Sequence, residues 1–302
     1  MKKYIIETYD LCKKSGNKFR VKNVNLAVPK GCIYGFLGPN GAGKTTTMKL
    51  LLGLIQPDGG TVEVLGQKMS PKNRFDINMR TGSLIESPGF YGHLTGQENL
   101  EIIARYKNLG TDDIKEALNT VHLYDRKDDK VKNYSLGMKQ RLGIAMALIN
   151  NPEMLILDEP VNGLDPMGMV DVRELLISLC RDDGITIVIS SHILAELYQL
   201  ATDYIIISHG RIISTFSKNA LDNLCTTHIV MNTECNDTAL EILAANGMSG
   251  VDNDEGTIMI FDNVDTRDVA KLMHDHNLLV THLAKHERTL EEYYIELLGR
   301  GA

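Results

Sequence analysis

The sequence predicts an α/β protein. A main domain over residues 1–218 is built on a parallel sheet with antiparallel β and helical subdomains, and a small α+β domain follows over 219–302. Three observations carry this expectation. Apolar, β-branched runs at Cys32–Leu37, Met154–Leu157, Ile185–Ser190 and Tyr204–Ser208 alternate with helical stretches, the pattern of a parallel sheet covered on both faces. Immediately after the first run, Gly38–Thr46 reads Gly-Pro-Asn-Gly-Ala-Gly-Lys-Thr-Thr, the G-x-x-x-x-G-K-[ST] spacing of a phosphate-binding loop. Beyond about Asn219 the alternation gives way to shorter strands and two or three helices, the mark of a separate unit.

Along the chain, Tyr4–Thr8, Asn23–Val28 and Thr61–Val64 read as short strands, and Gly31–Leu37 as a strand buried on both faces. Thr45–Leu54 has helical spacing and stops at the breaker cluster Gln56-Pro57-Asp58-Gly59-Gly60. A helical subdomain occupies about 86–152, its run from Gln97 to Asn150 interrupted near Gly110 and Asp128. In the second domain Ile229–Met231, Thr257–Phe261 and Leu278–His282 read as strands, and Asp237–Ala245, Thr266–His276 and Thr289–Leu298 as helices.

Composition narrows the function classes. At 302 residues, 43% hydrophobic and 24% charged, the chain has the balance of an ordinary globular protein. Five scattered cysteines without a C-x-x-C pair suit small core residues in a reducing, cytoplasmic setting rather than a disulfide frame or a zinc site. No apolar run approaches the ~18 residues of a membrane span, so the chain is not expected to cross a membrane itself. From 226 to 302 there are 14 Asp and Glu against 5 Lys and Arg. Neither domain offers the basic face that nucleic acid requires, which argues against that partner.

The phosphate loop fixes a ligand class. The glycines let the loop of Gly38, Pro39, Asn40, Gly41, Ala42 and Gly43 curl so that its backbone N–H groups, absent only at Pro39, point at an anion, and the following helix points its positive end at the same charge. Lys44 reaches the β- and γ-phosphates, the Thr45 hydroxyl suits Mg²⁺, and Thr46 continues the helix start. Met154–Leu157 then delivers Asp158 and Glu159 at a strand end, where α/β sheets bind ligands. Asp158 suits Mg²⁺, and Glu159 is placed to deprotonate an attacking water. Tyr134-Ser135-Leu136-Gly137-Met138-Lys139-Gln140-Arg141 opens an apolar helix with Ser135 as N-cap and Gly137 leaving backbone N–H groups uncovered, a second anion-binding helix start.

The order of these segments, with Asn162-Gly163-Leu164-Asp165 and Ser190-Ser191-His192 after them, resembles an ATP-binding-cassette (ABC) ATPase over roughly residues 1–215. Ser83–Tyr91, Tyr134–Arg141 and Ser190–Leu194 are most similar to the ATPase subunits of bacitracin- and lantibiotic-type export and immunity transporters. The resemblance implies the P-loop cassette fold and ATP with Mg²⁺ as ligands. It implies a head-to-tail dimer with a second ATPase subunit, ATP lying between Gly38–Thr46 of one copy and Ser135–Gly137 of the other, with Asp165 at the seam. It gives His192 a contact to the γ-phosphate and to the water near Glu159. It further implies a separate transmembrane permease docked over Glu86–Leu100, which would hold the chain on the inner face of the membrane.

Three positions depart from the family pattern. Glu86 stands where most relatives carry a glutamine touching Mg²⁺, and lantibiotic-type relatives share the glutamate. Leu136 and Met138 replace residues of the usual Leu-Ser-Gly-Gly-Gln turn, while Ser135 and Gly137 remain. The aromatic that stacks on adenine is expected near Lys14-Ser15-Gly16, where Ser15 is not aromatic and Phe19 is the substitute. Ribosome- or DNA-acting relatives are the competing class. Translation-type members carry two cassettes and chromosome-type members insert long coiled coils, whereas here one cassette has about 90 residues between Lys44 and Ser135. A phosphotransferase would leave the paired motifs unexplained.

Overall fold

Residues Tyr4–Ser15 (β1) and Lys18–Pro29 (β2) pair as an antiparallel hairpin whose Ile6, Leu11, Val24 and Val28 are fully buried. The structure, a computed structural model, describes residues 4–86, 89–224, 227–252, 256–260, 262, 264–287, 292–295 and 297. After the hairpin come β3 (Ile33–Leu37), α1 (Lys44–Leu51), β4 (Gly59–Val64) and β5 (Gln67–Lys68), and the first sheet has the order β2-β1-β4-β5. The two strands of the hairpin are longer than the hydrophobic pattern indicates. Lys13, Lys14, Ser15, Lys18 and Arg20 have no apolar alternation, yet the ladder with the partner strand carries them into solvent as β-structure. Helix α1 ends three residues earlier than its periodicity predicts, because Leu54 N–H turns back to Lys49 O (2.9 Å) and Gly53 N–H to Leu50 O (3.0 Å), a Schellman cap. Of the breaker cluster, Gly59 and Gly60 open β4 instead of ending the turn.

The chain continues through α2 (Arg74–Met79), β6 (Thr81–Leu84), α3 (Gly96–Lys107), α4 (Thr111–Thr120), α5 (Leu136–Leu148) and β7 (Met154–Asp158). It then runs through α6 (Pro166–Arg181), β8 (Thr186–Ser191), α7 (Leu194–Tyr198), β9 (Asp203–Ser208) and β10 (Arg211–Ser217). The second sheet has the order β10-β9-β3-β8-β7-β6, parallel throughout except for β10. Every residue of β3, β7 and β8 is buried, as continuous apolar strands require. One core joins Ile6, Leu11 and Val62 of the first sheet to Met48 and Leu51 of α1 and to Phe36, Ile156, Val188 and Ile205 of the second. Phe36 is fully buried on β3, so Phe36→Ala is expected to lower unfolding stability by about 4 kcal/mol in urea titration of the full chain.

The helical run is three helices. Thr95 caps α3 in a capping box, accepting from Glu98 N–H while Glu98 accepts from Thr95 N–H, which holds the Glu98 carboxyl below its ordinary pKa. Strand β6 and helix α2 escaped the sequence reading. Thr81–Leu84 holds one glycine and two hydroxyl residues in four positions, and becomes a strand only by pairing with β7.

The chain divides into two compact units, one through Lys218 and one from Asn219. Helix α8 (Lys218–Leu224) begins at that boundary. The second unit contains β11 (Thr227–Thr233), α9 (Asn236–Ala245), β12 (Gly250–Asp252), β13 (Ile258–Ile260), α10 (Thr266–Asp275) and β14 (Val280–Glu287). Its antiparallel sheet has the order β12-β13-β11-β14, a split β-α-β arrangement, with Ile229, Met231, Leu243, Ile258, Val269 and Met273 in its own core. Of the expected closing helix Thr289–Leu298, residues 292–295 and 297 are helical and the remainder lies outside the described residues, as does Phe261. Among the described residues no helix is long and apolar enough to cross a membrane.

Candidate functional site

The carboxyl ends of β3, β7 and β8 lie side by side, because β3 and β7 each pair in parallel with β8. The loop leaving β3 carries Gly38, Pro39, Asn40, Gly41, Ala42 and Gly43 into α1, whose first residues are Lys44, Thr45 and Thr46. Gly43, the N-cap of α1, has φ of 111°, and a Cβ there would come within 2.5 Å of Arg20 O. The loop therefore approaches β2 closely only with glycine at this position.

Lys44 is 5% exposed, and its Nζ donates to Gly38 O at 2.7 Å while lying 3.3 Å from Glu159 Oε1. The ammonium is thus aimed back across the loop. Thr45 Oγ1 donates to Asp158 Oδ2 at 2.6 Å, and Ser190 Oγ donates to Asp158 Oδ1 at 2.5 Å. Asp158 is buried, and two hydroxyls fix its carboxylate from opposite ends. Ser190 Oγ also accepts from Glu159 N–H at 2.9 Å. Glu159 has φ of 49°, an uncommon left-handed conformation for a non-glycine residue, which turns its side chain off the strand. His192 Nδ1 lies 2.7 Å from Glu159 Oε2. A carboxylate only accepts, so the Nδ1 proton fills this bond and Nε2 is left for another group.

Glu86 is exposed, has φ of 61°, and pairs with Lys49 Nζ at 2.7 Å. Among the described residues no hydrogen bond or ion pair joins it to Thr45 or Asp158. Ser135 caps α5 by accepting from Met138 N–H at 3.2 Å, and Asp165 caps α6 by accepting from Gly168 N–H at 3.2 Å. These two turns are neighbours: a Cβ on Gly137 would touch Leu164 at 3.8 Å, and one on Gly163 would meet Leu136 at 3.2 Å. No hydrogen bond or ion pair among the described residues connects Ser135, Gly137 or Asp165 to residues 38–46.

Two groups at the site escaped the sequence reading. Ser190 stands in the sequence at the end of an apolar strand and in the Ser190-Ser191-His192 segment with no role of its own, and its bond to Asp158 depends on the Asp158–Ser190 register between β7 and β8. Arg20 lines an open pocket with Asn40–Thr46 and Glu159. Phe19, the substitute for an adenine-stacking aromatic, has Lys14 Nζ at 4.7 Å and Lys22 Nζ at 5.0 Å from its ring centre.

Residues 21–162 match the ABC transporter family. The chain is 40% identical over 301 residues to the bacitracin transport ATP-binding protein BcrA of Enterococcus faecalis, covering 99% of this chain and 97% of that one. It is 41% identical over 220 residues to the lantibiotic transport ATP-binding protein SrtF of Streptococcus pyogenes, covering 73% and 94%. Among solved structures, a dimeric ATP-binding cassette in a post-hydrolysis state bound to ADP and Pi is similar at a TM-score of 0.65 and 25% identity, covering 70% of this chain and 98% of that one. A phosphate loop, an acidic strand end and a histidine converge here on the fold of such cassettes, and the chain belongs to the ABC transporter ATP-binding family as an ATPase subunit.

Proposed function

We propose that this subunit drives export of a peptide antibiotic of the bacitracin or lantibiotic class through a separate transmembrane permease. The observation that carries the reading is the joined cluster Thr45–Asp158–Ser190 and Lys44–Glu159–His192, in a chain 40% identical to a bacitracin transport ATPase over nearly its whole length. Residues 1–218 form the nucleotide-binding domain, with a helical subdomain at about 86–152, and 219–302 a separate domain.

In this reading Gly38–Thr46 hold the triphosphate through backbone N–H groups and Lys44. The Thr45 hydroxyl and the buried Asp158 carboxylate, 2.6 Å apart, are hard oxygen donors that suit Mg²⁺ and would hold it; Glu86, two residues past the end of β6 beside β7, would have to leave Lys49 to add a further carboxylate. When bound, that ion neutralises charge on the phosphates. Glu159 takes the proton of the attacking water, and His192 orients the Glu159 carboxylate through Nδ1–H. For His192 also to donate to the γ-phosphate, its ring must carry both protons.

Two copies act together, the uncovered helix start at Ser135 and Gly137 of one closing on the nucleotide of the other, with Asp165 at the seam. A single helix N-terminus carries about half a charge, so two facing ends hold a triphosphate better than one. The permease docks near residues 86–100, where Tyr91 is 54% exposed; Leu54, Phe75 and Tyr106 are exposed around one open cavity at the end of α3 and supply further apolar area. This docking keeps the subunit at the inner face of the membrane.

Expressing the chain in a sensitive host together with a multi-span permease that co-purifies with it should raise tolerance to bacitracin or a lantibiotic. Loss of that gain in Glu159→Gln would tie it to hydrolysis. Unchanged tolerance with both proteins present in the membrane fraction would refute the export reading.

A further inference from the structure

Arg20 lines the pocket of the phosphate loop and belongs to none of the family motifs. Along the hairpin, Lys13 pairs with Val21 and Lys14 with Phe19, so β2 has one residue more than β1 here, and Arg20 has no partner across the ladder. Such a bulge re-aims a side chain. The bulge is also clamped from both sides. A Cβ on Gly43 would stand 2.5 Å from Arg20 O, and one on Gly210 would stand 2.6 Å from it, with φ of 111° and 74° at the two glycines. Gly210 N–H bonds Ala42 O at 2.8 Å, and Lys22 N–H bonds Gly210 O at 2.8 Å, so the bulge, the phosphate loop and the turn after β9 are one hydrogen-bonded assembly. The backbone of Arg20 is held at a fixed distance from the loop before its side chain makes any contact.

The neighbouring cations are in use elsewhere. Lys13 Nζ and Lys14 N–H both bind Asp58, at 3.0 and 2.6 Å, which pulls the Asp58 carboxyl below its ordinary pKa. Lys14 and Lys22 ammonium groups lie against the Phe19 ring. Arg20 is exposed, forms no ion pair among the described residues, and lines the pocket with Asn40–Thr46 and Glu159.

We infer that Arg20 is a second fixed cation for the polyphosphate of the nucleotide, beside Lys44, and that charge rather than base stacking supplies most of the affinity of this site. The inference rests on the nucleotide reading of Gly38–Thr46. The guanidinium offers up to five planar donors, which suit two oxygens of neighbouring phosphates. Ser15 provides no ring, and the Phe19 ring already carries two ammonium groups, so a stacked adenine would compete with them. A polyphosphate held this way is recognised with little regard to its base.

Equilibrium binding of MgATP, MgGTP and adenosine to the purified full chain tests this. Arg20→Ala should weaken MgATP and MgGTP alike by roughly tenfold at low salt, the loss of one charge-assisted contact, and the difference should shrink as salt rises. Arg20→Lys should recover part of the affinity, and Phe19→Ala should not alter the ratio of ATP to GTP affinity. An Arg20→Ala protein that binds within twofold of the parent at low salt overturns the inference. So does a loss confined to adenine nucleotides in Phe19→Ala. Lys44→Ala separates the two readings: if it loses binding while Arg20→Ala does not, the phosphate loop stands and only the role of Arg20 falls. If the parent binds neither nucleotide, the site reading itself fails.

Discussion

Glu159→Gln is expected to bind ATP as tightly as the parent and to lose turnover by roughly 10²- to 10⁴-fold, the contribution of a positioned general base. The amide keeps the size of the side chain and an oxygen that can still accept from His192 Nδ1–H, now 2.7 Å from Glu159 Oε2. It cannot take a proton from water at neutral pH. It also removes the negative charge 3.3 Å from Lys44 Nζ, so nucleotide affinity has no reason to fall. Bound ATP should then persist and hold two copies together. Steady-state phosphate release together with size-exclusion chromatography in ATP reads both effects. Hydrolysis near the parent rate would remove Glu159 from the role of base, and a monomer at saturating ATP, with and without the permease, would remove the sandwich of two helix starts.

Lys44→Ala is expected to weaken nucleotide binding by roughly 100-fold, the upper range for a buried charge-assisted contact to phosphate. The Lys44 side chain is 5% exposed and its Nζ donates to Gly38 O at 2.7 Å, so the loop itself holds the ammonium in place. Calorimetric titration with MgATP is the measurement. The folded state should survive, since the β3, β7 and β8 cores do not involve the ammonium, and thermal unfolding of the variant provides the control. Tight binding in a folded Lys44→Ala protein would count against the phosphate loop as the nucleotide anchor.

The two substitutions differ in what made them legible. Lys44 is fixed by spacing within one short loop, and its place at the start of α1 needs only Gly41 and Gly43 to take positive φ. Glu159 is fixed by the run of apolar residues before it, which makes Met154–Asp158 a buried strand and puts the next carboxylate at its end. Element boundaries were legible only where the pattern was strong. Strand β6 and the outer half of the hairpin have weak alternation and exist because a neighbouring strand offers hydrogen bonds. The adenine-stacking role offered to Phe19 could be judged only from the lysines against its ring, one of them directly across the ladder at Lys14.

By itself, the sequence determined the ligand class and the α/β class, because both follow from local constraints: glycines that permit a turned loop, a cationic residue at a set spacing, and buried strands that must be apolar at every position. Only the tertiary structure decided which distant groups meet. Thr45 bonds a carboxylate 113 residues away, Asp158 accepts from a serine 32 residues on, and Arg20 enters the pocket through a bulge clamped by Gly43 and Gly210. Parallel register and close backbone approach set these meetings, and both are properties of paired strands that no single stretch of chain contains.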